Sequence, residues 1–114
     1  MTSPLFGIDL GGTKTEGVVL MPGGRELLRH RVATVKNSYP ETLSTIAEVI
    51  GNLEQKTGLE CGRVGLGIPG SISPVTQKVR NANSTWINGQ RLGIDLEQFL
   101  AREVRISNDA NCLA

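Results

Sequence analysis

The spacing of hydrophobic positions along the chain alternates between strand-like runs and a helical period. Short apolar runs rich in β-branched residues are typical of buried or half-buried strands. They predict strands at residues 5–10, 15–21, 26–35, 63–68 and 104–107. Residues 22–24, Pro-Gly-Gly, predict a hairpin turn after the second strand. The charged residues of the third run favour a sheet edge.

Two segments instead repeat apolar residues at helical spacing. In the first, Pro40 suits the first turn, with Ser38 or Tyr39 near the cap. Gly58 predicts the end of this helix. Its inward-facing residues are expected to be Leu43, Ile46, Ala47, Ile50 and Leu53. The second helix is predicted at residues 95–102, with Leu96, Phe99 and Leu100 facing inward.

Between the two helices the pattern is less regular. Residues 71–80 predict an extended excursion broken by Pro74, and residues 81–90 predict a polar loop that carries the only tryptophan, Trp86. The predicted order is therefore β-β-β-α-β-α-β. This order predicts an α/β fold, in which a mixed five-stranded sheet contains a three-strand antiparallel meander and carries flanking helices.

Composition narrows the class of function. The chain has 114 residues, a net charge of +1 and 4% aromatic residues, without a run of Lys or Arg. A surface for nucleic acid or for an anionic membrane is therefore not predicted. No segment is apolar enough to span a bilayer and the N-terminus lacks a signal-peptide core, so we expect a cytoplasmic protein. In that compartment Cys61 and Cys112 are expected to be reduced structural thiols, and His30 a solvated residue of the charged edge strand.

The most informative motif follows the first strand. Asp9 lies near the end of the apolar run, and the turn after it comprises Gly11, Gly12, Thr13 and Lys14. A glycine pair permits a tight turn, whose backbone N–H groups form a concavity suited to phosphate oxygens. Asp9 and phosphate are both anionic, so we expect Asp9 to bind a metal ion that also holds phosphate, directly or through water. Taken alone, the glycine pair also fits an ordinary hairpin turn.

Two other glycine patterns are rejected. Gly7 and Gly12 have the spacing of a P-loop, but Thr13 stands where that loop needs lysine. Residues 65–70 spell GxGxxG, yet Pro69 opposes the helix that must open inside a dinucleotide-binding turn.

A second candidate site follows the last predicted strand, where Asn108 precedes Asp109. Both residue types favour a helix N-cap, which is the alternative interpretation. Ligands of open α/β sheets usually bind at the carboxyl ends of strands, and the glycine turn lies at the end of a neighbouring strand. We therefore favour a catalytic role for Asp109, whose carboxylate can accept the proton of a reacting hydroxyl.

Four segments in this order together resemble the ROK family (repressors, open reading frames and kinases): residues 7–14, 65–70, 81–86 and 108–111. The resemblance spans nearly the whole chain. It implies the actin-like, ribonuclease H-like ATPase fold, here as residues 1–114 forming the N-terminal domain of a longer two-domain sugar kinase. Residues 67–74 and 81–90 most resemble the fructokinase and mannokinase branch. ROK repressors carry a helix-turn-helix before the first strand; here the first strand is predicted to begin near Leu5, so we expect a kinase rather than a repressor.

The resemblance also implies roles for individual residues. The residues that would face the ATP phosphates and magnesium are Asp9, Gly11, Gly12, Thr13 and Lys14, with Asp9 as the magnesium ligand. Asp109 would be the general base. The residues that would bind the sugar are Gly70, Ser71, Asn83 and Asn108. For Asn81 and Trp86, a role in shaping the sugar cleft and an ordinary turn or anchor role both stay open.

We therefore expect ATP-dependent phosphorylation of a neutral hexose hydroxyl, with fructose as the first candidate. The alternatives are an N-acetylhexosamine or glucose kinase of the same family, and a non-catalytic sugar-sensing regulator. The expected partners are ATP, magnesium and a small-molecule sugar, with neither nucleic acid nor membrane, and a second copy of the chain when the protein is full length. A structural zinc site would belong to the C-terminal half, and residues 1–114 alone are expected to be inactive.

Overall fold

The fold is built on a central mixed sheet. The computed structural model describes residues 4–68, 70–80, 82 and 85–108. The strands are β1 (Leu5–Leu10), β2 (Lys14–Leu20), β3 (Glu26–Ala33), β4 (Arg63–Ile68), β5 (Ser71–Ile72), β6 (Val79–Arg80) and β7 (Glu103–Asn108). The helices are α1 (Tyr39–Thr57), a 3-10 helix (Thr85–Ile87) and α2 (Leu92–Leu100). Most predicted bounds therefore hold to within one or two residues.

The sheet has the spatial order β3-β2-β1-β4-β7. β1, β2 and β3 form an antiparallel meander, β4 is parallel to β1, and β7 is parallel to β4. The mixed five-stranded sheet, the meander and the edge position of β3 are thus confirmed. The register places Asp9 opposite Gly67 and Gly67 opposite Ser107, so the carboxyl ends of the three parallel strands meet at one edge of the sheet.

Helix α1 begins and ends where its local sequence signals predict. The Ser38 side chain caps the helix by accepting a hydrogen bond of 3.3 Å from the backbone N–H of Glu41. At the other end, Gly58 has a left-handed backbone and its N–H donates to the carbonyl oxygen of Glu54 at 2.8 Å. The buried face of the helix comprises Thr42, Thr45, Ile46, Val49, Ile50 and Leu53.

Both α-helices cover the same face of the sheet. A Cβ atom built on Gly17 of β2 would lie 2.4 Å from Val49 in α1, so the helix packs directly on the strand backbone. A Cβ atom on Gly93 of α2 would lie 3.0 Å from the Ile106 side chain in β7. Gly17 is opposite Ile8, Ile8 is opposite Leu66, and Leu66 is opposite Ile106. Residues directly opposite on neighbouring strands point to the same face, so Gly17 and Ile106 share a face of the sheet. Full burial of each large aliphatic side chain in this layer contributes about 1.5–3 kcal/mol to folding.

Helix α2 differs from its prediction in two respects. It begins at Leu92, earlier than the predicted residue 95, because Leu92 and Leu96 are spaced one turn apart and are both buried. Phe99 was expected to face inward, and this prediction is wrong: its side chain is 54% exposed. Phe99 lies in the last turn, just before the chain turns at Ala101 with φ 56°. Helical spacing predicts which residues share a face, but it does not reveal whether a neighbouring element extends far enough to cover the last turn.

The excursion at residues 71–80 folds into a small hairpin. β5 pairs with β6 in antiparallel register, with Ser71 opposite Arg80 and Ile72 opposite Val79. The chain between the strands is closed by a 3.0 Å hydrogen bond from the Ser73 N–H to the Lys78 carbonyl.

In the described ranges, none of the helices combines the length and the apolar character that a membrane crossing needs.

Cys61 is buried just before β4, as expected of a structural thiol. Its Sγ donates to the carbonyl oxygen of Arg63 at 3.4 Å. Burial raises the pKa of this thiol to about 11, which keeps it protonated at neutral pH. Cys112 lies outside the described residues.

Candidate functional site

The turn between β1 and β2 is tight, and its first residue must be glycine. The Gly11 N–H donates a 2.9 Å hydrogen bond to the Lys14 carbonyl oxygen. A Cβ atom at Gly11 would lie 2.6 Å from that same oxygen, so any larger residue would force the turn open. Gly12, Thr13 and Lys14 are exposed at its tip. The turn connects the β-hairpin of β1 and β2, as the alternative interpretation expects, and its phosphate role stays a prediction.

Two threonines, which the sequence analysis did not identify as site residues, hold this turn in place. Thr34, just after β3, donates from Oγ1 to the Gly11 carbonyl oxygen at 2.9 Å. Its one hydroxyl hydrogen is used there, so Thr15 donates the 2.9 Å hydrogen bond between the two threonine hydroxyls. The Thr34 N–H also donates to the Thr13 carbonyl at 2.9 Å. Thr15 is completely buried, and a polar residue on the core face of an apolar strand is the sequence signal that could have identified the network.

Asp9 lies one residue before the end of β1, with its side chain exposed at the edge where the parallel strands end. The neighbouring carboxylate, Glu16, is opposite Asp9 on β2 and forms ion pairs with Arg29 and Arg31. Burial acts to raise the pKa of Glu16, but the hydrogen bonds from Arg31 and Arg29 outweigh it, and the pKa is lowered. Glu16 is therefore an ionised partner of the β3 arginines.

Magnesium is compatible with the oxygen donors of this edge. Asp9 offers a carboxylate and Thr13 an exposed hydroxyl. Among the residues that the structure describes, His, Cys, Asp and Glu form no group of three or more that could hold a metal ion on its own. Magnesium is usually held by one or two protein carboxylates together with substrate phosphates, so a single carboxylate beside a turn that is predicted to bind phosphate fits it.

The predicted sugar-binding residues Gly70 and Ser71 follow the end of β4, at the same edge as Asp9. The backbone of the next segment lies against Gly70: a Cβ atom there would be 2.5 Å from the Arg80 carbonyl oxygen and 2.9 Å from the Ala82 nitrogen. Ser71 is half-buried and pairs with Arg80. This close approach of backbones is a reason for glycine at position 70 that the sequence pattern did not reveal.

The remaining predicted residues are placed only in part. Asn108 ends β7 and is opposite Ile68 of β4, which brings its backbone to the same edge as Asp9 and Gly70. Asn83 and the predicted general base Asp109 lie outside the described residues, as does Asn81. The roles of all these residues remain predictions.

The sequence profile of the ROK family matches residues 5–114. The chain belongs to the ROK family. Two curated relatives are similar to it over 96% of its length: the N-acetyl-D-glucosamine kinases of Haemophilus influenzae (strain 86-028NP), 39% identical, and of Pasteurella multocida (strain Pm70), 40% identical. The chain spans 36% of the length of each of these relatives.

Two solved ROK structures have the same fold. The ROK hexokinase from Thermus thermophilus matches with a TM-score of 0.84 and 30% identity, over 95% of this chain and 36% of that one. A ROK family glucokinase from Streptomyces griseus, in complex with glucose and AMPPNP, matches with a TM-score of 0.83 and 27% identity, over 96% of this chain and 34% of that one. The predicted actin-like ATPase fold is thereby confirmed.

Within this ROK domain, Trp86 anchors the loop that leads to α2. Its indole Nε1–H donates to the Thr42 hydroxyl oxygen at 2.9 Å, and Thr42 donates in turn to the Ser38 carbonyl oxygen at 2.9 Å. The ring also packs against the hydrophobic core. These contacts are those expected of an anchor on α1, and a contact with sugar stays a prediction.

Proposed function

We propose that this ROK domain forms the phosphate-binding and hydroxyl-activating wall of an ATP-dependent sugar kinase. The observation that carries the proposal is the register at one sheet edge. Asp9 is opposite Gly67 and Gly67 is opposite Ser107 on three parallel strands, so the Gly11–Lys14 turn after β1 and the end of β7, which precedes Asp109, lie at the same edge of the sheet with β4 between them. Similarity to kinases of N-acetylglucosamine and glucose supports the same activity.

In this proposal, the turn after β1 binds the phosphates, and the residues after β7 activate the sugar hydroxyl. Phosphoryl transfer depends on positioning and on neutralising phosphate charge rather than on covalent help from the protein. The Gly11 N–H is used within the turn, so the backbone N–H groups of Gly12 and Thr13 and the Lys14 ammonium would face the phosphates, and Asp9 with Thr13 would hold magnesium. Bound magnesium supplies charge neutralisation at the phosphates. Asp109 accepts the proton of the sugar hydroxyl, and such general-base assistance is typically worth about 10²–10⁴-fold in rate.

The acceptor in this proposal is a neutral hexose. The curated relatives favour N-acetylglucosamine, because they are named for that sugar and match nearly the whole chain. Fructose, the first candidate from the sequence, is favoured by a different observation, the resemblance of residues 67–74 and 81–90 to the fructokinase and mannokinase branch. No relative described above is named for fructose, so we rank N-acetylglucosamine first and fructose second. The enzyme would work in the cytoplasm, where ATP is available.

The test is a sugar panel with the intact protein, ATP and magnesium. ADP release is measured with N-acetylglucosamine, N-acetylmannosamine, glucose, mannose and fructose, and the sugars are compared by kcat/KM, the proper measure of discrimination. We expect sugar-dependent ADP release that is greatest with one neutral hexose. Release no greater than that of a control without sugar, for every sugar of the panel, would refute the kinase. Sugar binding without release would instead support the sensor alternative.

A further inference from the structure

The side chain of Asn88 is bonded to both backbone groups of a single residue. Its Oδ1 accepts a 2.9 Å hydrogen bond from the Ala82 N–H, and its Nδ2 donates to the Ala82 carbonyl oxygen at 3.1 Å. Only one orientation of the amide satisfies both bonds, because the oxygen must face the N–H and the nitrogen the carbonyl. Asn88 and Ala82 are six positions apart, and Ala82 is only 5% exposed. We call this pair of bonds the Asn88 clasp.

The residue held by the clasp lies against the predicted sugar wall. A Cβ atom on Gly70 would meet the Ala82 nitrogen at 2.9 Å and the Ala82 Cα at 3.0 Å. Ser71 is tied to the same segment, because it pairs with Arg80 in the β5–β6 hairpin. The space beside the Gly70 Cα is therefore too small for a side chain, so a shift of Ala82 toward Gly70 has little room. A shift of the segment that contains Ala82 also acts on Arg80, the residue that pairs with Ser71.

The other side of the clasp is fixed to the core. Ile87 is completely buried, and Trp86 is bonded to Thr42 of α1. After Asn88, the Gly89 N–H donates to the Val79 carbonyl oxygen at 2.7 Å, and the Val79 N–H donates to the Gln90 carbonyl at 2.9 Å. Asn88 thus extends from an anchored segment to a backbone that borders the site.

We propose that Asn88 is a positioning residue for the sugar: through Ala82 it sets the position of the wall formed by Gly70 and Ser71. The proposal rests on the proposed function, in which those two residues contact the acceptor. Asn88 itself is not placed against substrate or phosphate. Its loss should therefore act on the sugar end of the reaction and leave the Gly11–Lys14 turn, which is held by Thr34, unaffected.

The test compares Asn88→Ala and Asn88→Asp with Asn52→Ala in the intact protein. Asn52 is a matched control, because its amide donates within α1, to the Glu48 carbonyl at 3.0 Å. Sugar KM, ATP KM, kcat and the melting temperature are measured for each, with the best sugar of the panel. Asn88→Asp keeps the size and the acceptor oxygen but sets a carboxylate oxygen against the Ala82 carbonyl, so it carries the test if Asn88→Ala is poorly folded.

For both Asn88 variants we expect kcat/KM for the sugar to fall about 10- to 100-fold, mainly through sugar KM, with ATP KM unchanged. Asn52→Ala should behave as the wild type does. A folded Asn88 variant with an unchanged sugar KM would overturn the proposal, and so would equal rises in sugar KM and ATP KM, which indicate a general loosening of the domain. If the wild type itself shows no sugar-dependent turnover, the proposed function fails and the role of Asn88 fails with it.

Discussion

The hydroxyl of Thr34 donates a hydrogen bond of 2.9 Å to the carbonyl oxygen of Gly11 and so ties the end of β3 to the turn after β1. The two residues are 23 positions apart in the chain. Because the Thr34 N–H also donates to the Thr13 carbonyl, one residue fixes the turn at two points. If the turn binds phosphate as proposed, this support holds its backbone donors in place before the reaction, and preorganised donors need no reorganisation during it.

Replacing Thr34 with valine should weaken both the fold and the turn. The substitution keeps the shape but removes the hydroxyl, so the buried Thr15 hydroxyl loses its acceptor. An unsatisfied buried polar group costs about 1–3 kcal/mol of unfolding free energy, which denaturant titration measures. In kinetic assays we expect ATP KM to rise while sugar KM stays near the wild-type value.

The Thr15→Val/Thr34→Val double variant is the control for that prediction. Removing both hydroxyls leaves no buried hydroxyl unpaired, and the Gly11 carbonyl loses its donor just as it does in Thr34→Val. The double variant should therefore be less destabilised than the sum of the two single variants. A purely additive result would show that the two hydroxyls do not depend on each other.

Gly11→Ala should disrupt the turn with little effect elsewhere. The new Cβ would lie 2.6 Å from the Lys14 carbonyl oxygen, so the turn must open and its 2.9 Å hydrogen bond must lengthen or break. We expect kcat/KM for ATP to fall about 10²-fold, as for other misplacements near 1 Å. Gly51→Ala is the matched control: this residue lies inside α1 with open space around it, so alanine there should stabilise the protein by about 0.5–1 kcal/mol. Full ATP kinetics in Gly11→Ala would argue against the phosphate role of the turn.

The parts of this fold that were predictable are those with local signals. The bounds of β1 and β4 match the prediction, because each is a compact apolar run with a glycine at one end and a proline at the other. Ser38 and Gly58 delimit α1 because capping depends on residues within one turn of the helix end. Asp9 could be placed at a strand end for the same reason.

The contacts that organise the site were not predictable, because they join distant segments. The bond from Thr34 to Gly11 and the Asn88 clasp on Ala82 depend on where the strands lie in space, and their residue types also fit ordinary turns. The exposure of Phe99 likewise depends on which element extends beside the last turn of α2. The spacing of hydrophobic residues and the amino-acid composition carry no information on which distant segments come into contact.

Cys61 should make the protein less stable at alkaline pH. Burial raises the pKa of the folded thiol from an ordinary value of 9.0 to about 11. As the pH rises above 9, the unfolded thiol releases its proton first, so stability that is complete below pH 9 is lost progressively toward pH 11. We expect a loss of about 1–3 kcal/mol over this interval in urea titrations. In Cys61→Ala the decline between pH 9 and 10 should be shallower, and an identical decline in both proteins would show that the thiol is not responsible.

Asp109→Asn should abolish most turnover without unfolding the protein. Asparagine is nearly the same size and is an equally good helix N-cap, so the melting temperature should be close to that of the wild type. It cannot accept the hydroxyl proton, so kcat should fall about 10²–10⁴-fold in a coupled ADP assay. Some loss of sugar affinity is also expected, because the carboxylate would hydrogen-bond the reacting hydroxyl. Wild-type kcat in this variant would exclude Asp109 as the base.

Asp9→Asn should separate the two ends of the site. The proposed role of Asp9 is at the magnesium and phosphate end, and an amide binds magnesium more weakly than a carboxylate does. We expect kcat to fall about 10²–10³-fold, as when one electrostatic group that stabilises a transition state is removed. Sugar affinity, measured calorimetrically without nucleotide, should remain that of the wild type. Excess magnesium should recover part of the lost activity in Asp9→Asn but none in Asp109→Asn, because only Asp9 acts through the metal. The opposite pattern, with sugar affinity lost and turnover retained, would move Asp9 from the phosphate end to the sugar end of the cleft.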